Sequence, residues 1–196
     1  VRWTGAVGTA QAVDGNYRQG IAEVDDGWVF TTKNALYRTD EAFHEAASFH
    51  SAIPAALASK GYDHMGDPDV ADGKIWVPLE RADKTQAEQV IARFDLTTLE
   101  FVDSFEVPQH HASFVTVDDD GIVWSSDQFS DDALTRYRLR GDRLVPLRPL
   151  RLSQTVDKIQ GGDVIDGAVW LSTDDATNGV YRVDPRTGRV DGLGSA

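Results

Sequence analysis

The chain has 196 residues, of which 41% are apolar, and a formal net charge of −13, so it is long enough to form one domain with a buried core. The excess of carboxylates repels polyphosphate and anionic lipid headgroups, so we expect neither nucleic acid nor a membrane surface as a partner. The sequence contains no cysteine, which excludes disulfide bonds, thiolate zinc sites and thiol nucleophiles.

A short motif occurs four times: Asp-Gly, with an aromatic residue three positions after the glycine. Successive glycines are 46 to 48 residues apart. Asp-Gly favours a tight hairpin turn, because both central positions of a type I′ turn need positive φ. A repeat of this length with one hairpin in each unit is typical of the blades of a β-propeller. The four copies are Asp26-Gly27 with Phe30, Asp72-Gly73 with Trp76, Asp120-Gly121 with Trp124 and Asp166-Gly167 with Trp170.

In chain order, the sequence predicts a single all-β domain over residues 1–196, built as a β-propeller. An apolar run at residues 1–7 predicts a separate strand that helps to close the ring. Four blades of four strands follow, at about residues 17–50, 62–107, 110–152 and 158–192. The inner strands of the first two blades are predicted at residues 20–24 and 66–70. Between these blades, the alanine-rich segment 51–61 begins with serine and ends on glycine, which predicts one or two helical turns over one face of the ring.

Residues 180–190, Val-Tyr-Arg-Val-Asp-Pro-Arg-Thr-Gly-Arg-Val, resemble the third and fourth strands of blades in streptogramin-lyase, gluconolactonase and NHL-type propellers. Residues 119–125 resemble the first hairpin of the same propellers, and residues 93–99 repeat the pattern of the third strand. A second similarity, carried by Gln19-Gly20-Ile21, is to the five-bladed glutamine cyclotransferases. Unrelated activities share these structural motifs, so the resemblance implies a fold rather than one activity.

The number of blades differs from the propellers that the chain resembles. Those propellers close with five to seven blades, whereas four are recognisable here, and no separate closing strand is recognisable after the fourth. We therefore expect a five- or six-bladed ring to which this chain contributes four blades.

The connections of a four-stranded blade decide where a site can lie. The Asp-Gly turns gather on one face of the ring. The loops between second and third strands gather on the other face, with the segments that lead into the inner strands. Those segments carry polar side chains at the mouth of the central channel, so the sequence predicts the binding site there. The candidate ligand-binding residues are Tyr17, Gln19, Asp67, His110, Lys158 and Gln160.

His64 and His111 are the candidate catalytic residues, because an unperturbed histidine titrates near neutral pH and can act as an acid or a base. Imidazole and carboxylate groups at the same mouth could hold a divalent cation such as calcium. The alternative for all of these residues is a polar, hydrated channel mouth that binds no ligand.

Three functions stay open at this point. The first is binding of a small molecule or peptide at the channel mouth. The second, implied by the resemblance, is a metal-dependent lyase or lactone hydrolase, with the cation as Lewis acid and His64 or His111 as general base. The third is a protein-interaction scaffold that uses the arginines of the third blade. These arginines are Arg136, Arg138, Arg140, Arg143, Arg148 and Arg151.

The arginines also have a simpler interpretation, since charged residues on outer strands discourage edge-to-edge pairing.

The sequence says less about the cellular location of the protein than about its fold. The first residue is Val1 and cysteine is absent, which fits a secreted or periplasmic protein, and a cytoplasmic location stays open.

Overall fold

The structure of the chain is a computed structural model that describes residues 13, 15, 17–83, 85–127 and 131–195. The strand predicted at residues 1–7 lies outside the described residues. Within the described ranges the chain is all-β, with eighteen strands and one short helix. No helix in these ranges is long and apolar enough to cross a membrane.

The strands form four antiparallel sheets, and each sheet is one blade. Blade one contains β1 (Gly20–Val24), β2 (Gly27–Thr31), β3 (Ala35–Asp40) and β4 (Glu45–His50). Helix α1 (Ala55–Ala58) follows. Blade two contains β5 (Tyr62–Met65), β6 (Asp69–Ala71), β7 (Lys74–Arg81), β8 (Gln89–Asp95) and β9 (Phe101–Val107).

Blade three contains β10 (Thr116–Val117), β11 (Ile122–Ser126), β12 (Ala133–Arg140), β13 (Arg143–Pro146) and β14 (Leu150–Arg151). Blade four contains β15 (Ile159–Ile165), β16 (Ala168–Thr173), β17 (Gly179–Val183) and β18 (Val190–Ser195). The inner strands stand side by side: β6 contacts β1 on one side and β10 on the other, and β10 also contacts β15. The blades therefore follow one another around a common axis, as in a propeller.

Apolar side chains of neighbouring blades pack together into three cores. The core between blades one and two includes Val29 and is extended by Leu57 of α1. The core between blades two and three contains Trp76, and the core between blades three and four contains Trp124. Because strand side chains alternate between the two faces of a sheet, blades two and three contribute to the cores on both sides.

Local turn chemistry explains where the strands end. The hairpin residues Asp72 and Gly73 have φ angles of 52° and 68°, which Asp and Gly tolerate better than other residues. At the end of β8, the Asp95 carboxylate accepts hydrogen bonds from the backbone N–H groups of Thr97 and Thr98 at 3.0 and 3.1 Å. An Asx turn of this kind reverses the chain into β9.

Blade one departs from the predicted repeat by one residue. Its hairpin turn is Asp25-Asp26 rather than Asp26-Gly27, and Gly27 already belongs to β2. Val29 consequently packs toward blade two, in the place that Trp76 takes toward blade three. Phe30 packs in a separate cluster on the other face of the sheet. The predicted equivalence of Phe30 and Trp76 was wrong, because a shift of one residue moves a strand side chain to the opposite face.

The inner strand of blade two is divided, although the sequence predicted one strand over residues 66–70. Asp67 separates β5 from β6 and bonds to blade three instead. Its N–H donates to the Ser113 carbonyl at 2.9 Å, and its own carbonyl accepts from the Val115 N–H at 3.2 Å. The break brings the Asp67 side chain to the axis of the ring.

Candidate functional site

Five of the eight predicted site residues line one pocket at the mouth of the channel, on the face opposite the hairpin turns. This mouth pocket has a volume of 360 Å³ and is lined by residues from all four blades. The five predicted residues are Gln19, His64, Asp67, His111 and Gln160. Lys33, Glu80, Arg81 and Ser113 line the same pocket.

The other three predicted residues lie elsewhere. The Tyr17 ring stacks on Phe30, with 4.3 Å between the ring centroids. His110 is held at Asp127, whose Oδ2 accepts a hydrogen bond from the His110 backbone N–H at 2.9 Å. Lys158 is exposed and has a positive φ of 51°. None of the three lines the mouth pocket.

His111 and Glu80 form a buried pair in the wall of the mouth pocket. His111 Nε2 lies 2.8 Å from Glu80 Oε2, and the two side chains are only 5% and 7% exposed. His111 Nδ1 is also buried and has no hydrogen-bond partner in the described part of the chain. A carboxylate can only accept hydrogen bonds, so the His111 Nε2 is the donor to Glu80.

His64 reaches the pocket from β5 and connects blade two to blade one. Its Nε2 lies 2.8 Å from Gln19 Oε1. The pairing of β5 with β7 has an irregularity in register between Tyr62 and His64, just before the site. This contact holds two predicted site residues together across a junction between blades.

Asp67 lies at the axis, between the inner strands of blades one and four. Its Oδ1 accepts from the Ile21 N–H and its Oδ2 from the Gly162 N–H, each at 3.1 Å. Burial of the carboxyl raises the pKa of Asp67 to about 7, although the two N–H groups act in the opposite direction. Nearby carboxylates, Asp163 first, raise the Asp67 pKa further. Asp67 can therefore exchange a proton near neutral pH.

The described residues do not form a ready metal centre. No group of three or more histidine, aspartate or glutamate side chains among them is arranged to hold a metal ion. In the mouth pocket, Asp67 oxygens already accept backbone N–H groups and His111 Nε2 is engaged by Glu80. The described residues therefore show no calcium site, and no chemical step is assigned to a cation.

Among the residues of the mouth pocket that sequence reasoning missed are Glu80 and Arg81. Both lie at the end of β7, directly after the apolar residues Val77, Pro78 and Leu79. A charged pair that ends an apolar strand on the face of the predicted site is the signal that could have identified them.

Two of the arginines of blade three, Arg136 and Arg138, lie against their own sheet. Arg136 stacks over Trp124 and donates from Nε to the Arg148 carbonyl at 2.9 Å. Arg138 donates to the Asp120 carbonyl at 3.0 Å. These contacts are those of a solvent-facing sheet whose long side chains cover apolar surface.

Comparison with solved structures identifies the architecture. A luciferin-regenerating enzyme superposes with a TM-score of 0.62 at 11% identity, and the match covers 90% of this chain and 62% of the enzyme. A gluconolactonase from Xanthomonas campestris gives 0.56 at 18% identity, with 87% and 60% covered. The calcium-binding protein regucalcin from Agrobacterium tumefaciens gives 0.52 at 15% identity, with 84% and 55% covered. The chain is a β-propeller.

This propeller spans less than two thirds of the length of each of these three structures. At such low identity the likeness establishes the fold and no activity. No protein-family model matches the sequence, and no curated protein matches it. The predicted resemblance to gluconolactonase-like propellers is confirmed at the level of the fold.

Proposed function

We propose that this propeller binds a small polar molecule in the mouth pocket. The observation that carries the proposal is the pocket itself, at the mouth of the channel, to which all four blades contribute polar groups. A volume of 360 Å³ is in the range of small-molecule sites and too small for a folded partner.

A ligand screen by protein-observed NMR tests this proposal. We expect bound compounds to shift the backbone resonances of residues around the pocket and not those of the hairpin face. His64→Ala and His111→Ala should weaken binding, and His44→Ala is the matched control, because His44 is an exposed histidine paired with Asp40 at the far end of blade one. Circular dichroism establishes that each variant is folded. Equal binding by all three variants would refute the proposal.

Hydrolysis of a lactone is a second candidate, favoured by the pairing of His111 with Glu80. The His111 imidazole would accept a proton from water while the water oxygen bonds to the lactone carbonyl carbon. The ring C–O bond then breaks, and the proton passes from His111 to the departing ring oxygen, so lactone and water give one hydroxy acid. Proton release from D-glucono-1,5-lactone in a pH-stat measures this activity. Rates equal to the uncatalysed rate exclude it for this substrate.

The participation of a divalent cation such as calcium also stays a proposal, and the regucalcin likeness supports it. Thermal-shift measurements with calcium, magnesium, manganese and zinc chlorides test it separately. A resident cation stabilises the folded state by mass action. If none of the four ions at millimolar concentration raises the melting temperature, the cation is removed from the proposal.

We further propose that one or two additional blades pack between blade four and blade one. A cleft of 520 Å³ separates these blades and is lined by Ile21 and Trp28 on one side and by Ile165 and Trp170 on the other. Ile21 and Ile165 are 47% and 48% exposed. Trp76 and Trp124, at the positions that correspond to Trp170, are buried against the next blade. If a further blade buries Trp170 in the same way, the ring has five or six blades.

A further inference from the structure

The inner strands of blades two and four carry an aspartate at the same position. Asp69 lies on β6, opposite Trp76 of β7 in the antiparallel register. Asp163 lies on β15, opposite Trp170 of β16. In both aspartates, Oδ1 accepts a hydrogen bond from the backbone N–H of the next residue at 2.6 Å. The two carboxylates are therefore placed in the same way relative to their own blades.

Blade three supplies the donors for the second oxygen of Asp69. This atom, Oδ2, accepts a hydrogen bond from the Val117 backbone N–H at 2.7 Å and another from the Thr116 hydroxyl at 3.0 Å. Both donors belong to β10, the inner strand of the next blade. Asp69 therefore joins the inner strands of two consecutive blades through one carboxylate.

Asp163 lacks the corresponding donors. In the described part of the chain, no group donates a hydrogen bond to its Oδ2. The Thr116 hydroxyl lies 3.4 Å from Asp163 Oδ1, but a hydroxyl has one proton and this one is closer to Asp69. Asp163 is exposed and lines the cleft between blades four and one. Its carboxylate is thus accessible on the side where a next blade would stand.

We propose that Asp163 receives the inner strand of a further blade, and that a serine or threonine hydroxyl and the following backbone N–H of that strand donate to its Oδ2. The inference rests on the proposed function, since it names the contact by which an additional blade attaches to blade four. The occupant is a β-strand because the equivalent carboxylate, on Asp69, is satisfied by two consecutive residues of one. Ile165 and Trp170 line the same side of the cleft and supply the apolar part of this surface.

Donors are required because covering the cleft takes Asp163 out of water, and a buried carboxylate without compensating hydrogen bonds is strongly unfavourable. No lysine, arginine or histidine is among the described residues that line the cleft. Burial is the main cause of the raised pKa values of Asp67 and Asp69, and the charge of Asp163 raises both further. The three carboxylates therefore repel additional negative charge. The incoming strand must bring hydrogen-bond donors and no carboxylate at this position.

The experiment measures the Tm of Asp163→Asn in the 196-residue chain and in the protein as its gene encodes it. Asparagine keeps the shape of the side chain but has only one acceptor oxygen. In the gene-encoded protein we expect Asp163→Asn to lower the Tm by at least about 3 °C. In the 196-residue chain it should not lower the Tm, because Oδ2 has no donor to lose and the substitution removes a repelling charge.

Two further variants calibrate the result. Asp69→Asn should lower the Tm of both forms, because its donors on β10 are present in each. Asp166→Asn is the matched control, since Asp166 is an exposed aspartate in the hairpin turn of the same blade and does not line the cleft. We expect it to change the Tm by no more than about 2 °C in either form.

Each result decides the inference. If Ile165→Ser destabilises the gene-encoded protein and Asp163→Asn does not, the inference is overturned while the additional blade stands. If neither substitution has an effect, the additional blade itself is refuted. An equal loss from Asp163→Asn in the 196-residue chain also overturns the inference, because the contact is absent there. Thr116 lies five residues before Gly121, so a residue other than serine or threonine five positions before the hairpin glycine of the next blade contradicts it as well.

Discussion

Asp67 joins all four blades with a single residue. It belongs to blade two, its backbone bonds to Ser113 and Val115 at blade three, and its carboxylate accepts from Ile21 in blade one and Gly162 in blade four. The residues that pack against Asp67 must be small. A Cβ atom on Gly20 would lie 2.5 Å from Asp67, and one on Gly161 would lie 3.0 Å away. The axial carboxyl and the glycines around it form one packed unit.

The raised pKa of Asp67 makes the stability of the protein depend on pH. The folded chain keeps the proton up to about pH 7, whereas the unfolded chain releases it near 3.8. The free energy of unfolding should therefore fall between pH 4 and pH 7 by up to about 1.4 kcal/mol per pH unit from this group. Asp67→Asn removes the titration and should flatten this part of the curve. Urea unfolding at pH 4.5 and 7.5 measures both proteins.

Asp184→Asn serves as a control, because the Asp184 carboxyl should change the free energy of unfolding with pH in the opposite direction. The backbone N–H groups of Arg186 and Thr187 lower the pKa of the Asp184 carboxyl, so its contribution is lost as the pH falls rather than as it rises. Parallel pH curves for the parent and Asp67→Asn would contradict the assignment of the buried proton to Asp67.

The pair of Glu80 and His111 should be sensitive to which partner is changed and how. Glu80→Ala leaves a buried imidazole without its acceptor and should lower the free energy of unfolding by about 3 kcal/mol. Glu80→Gln keeps an oxygen that can accept the Nε2 proton and should cost less. Denaturant unfolding at pH 7 measures both variants. Equal losses would mean that the pair acts through packing rather than through the hydrogen bond.

At the scale of elements, Gly188 shows how a turn joins two blades. It has a φ of 73°, and a Cβ atom there would lie 1.8 Å from the Arg151 carbonyl oxygen of β14. Gly167 has a similar φ of 69°, but nothing lies within 4 Å of its Cβ position. Gly188→Ala and Gly167→Ala share the cost of a left-handed backbone, about 1–2 kcal/mol. The difference in free energy of unfolding between the two variants therefore measures the cost of the contact with the Arg151 carbonyl oxygen.

We expect Gly188→Ala to lose at least about 1 kcal/mol more than Gly167→Ala, because the carbonyl can move only if β14 shifts. Urea unfolding of the two variants under identical conditions gives this difference. Equal losses would show that β14 moves away at no cost and that the turn does not fix blade four against blade three.

The elements that the sequence predicted are those fixed by local chemistry. Asp72-Gly73 predicted its hairpin because the turn requires those two residue types at adjacent positions. The break at Asp67 was missed because it depends on pairing with Phe114 of another blade. The same limit applies to the site: the histidines were found from their residue type, whereas the partnership of His111 with Glu80 exists only once two blades are packed together.

At the scale of the whole molecule, the cleft between blades four and one decides how many blades the ring has. Ile165 on β15 is 48% exposed in the cleft, and Val145 on β13 is 42% exposed on the outer surface of blade three. If further blades cover the cleft, Ile165→Ser in the protein as its gene encodes it should lower the free energy of unfolding by about 2 kcal/mol. Val145→Ser should change it by no more than about 0.5 kcal/mol. Urea unfolding compares the two, and equal small effects would mean that water fills the cleft and four blades complete the ring.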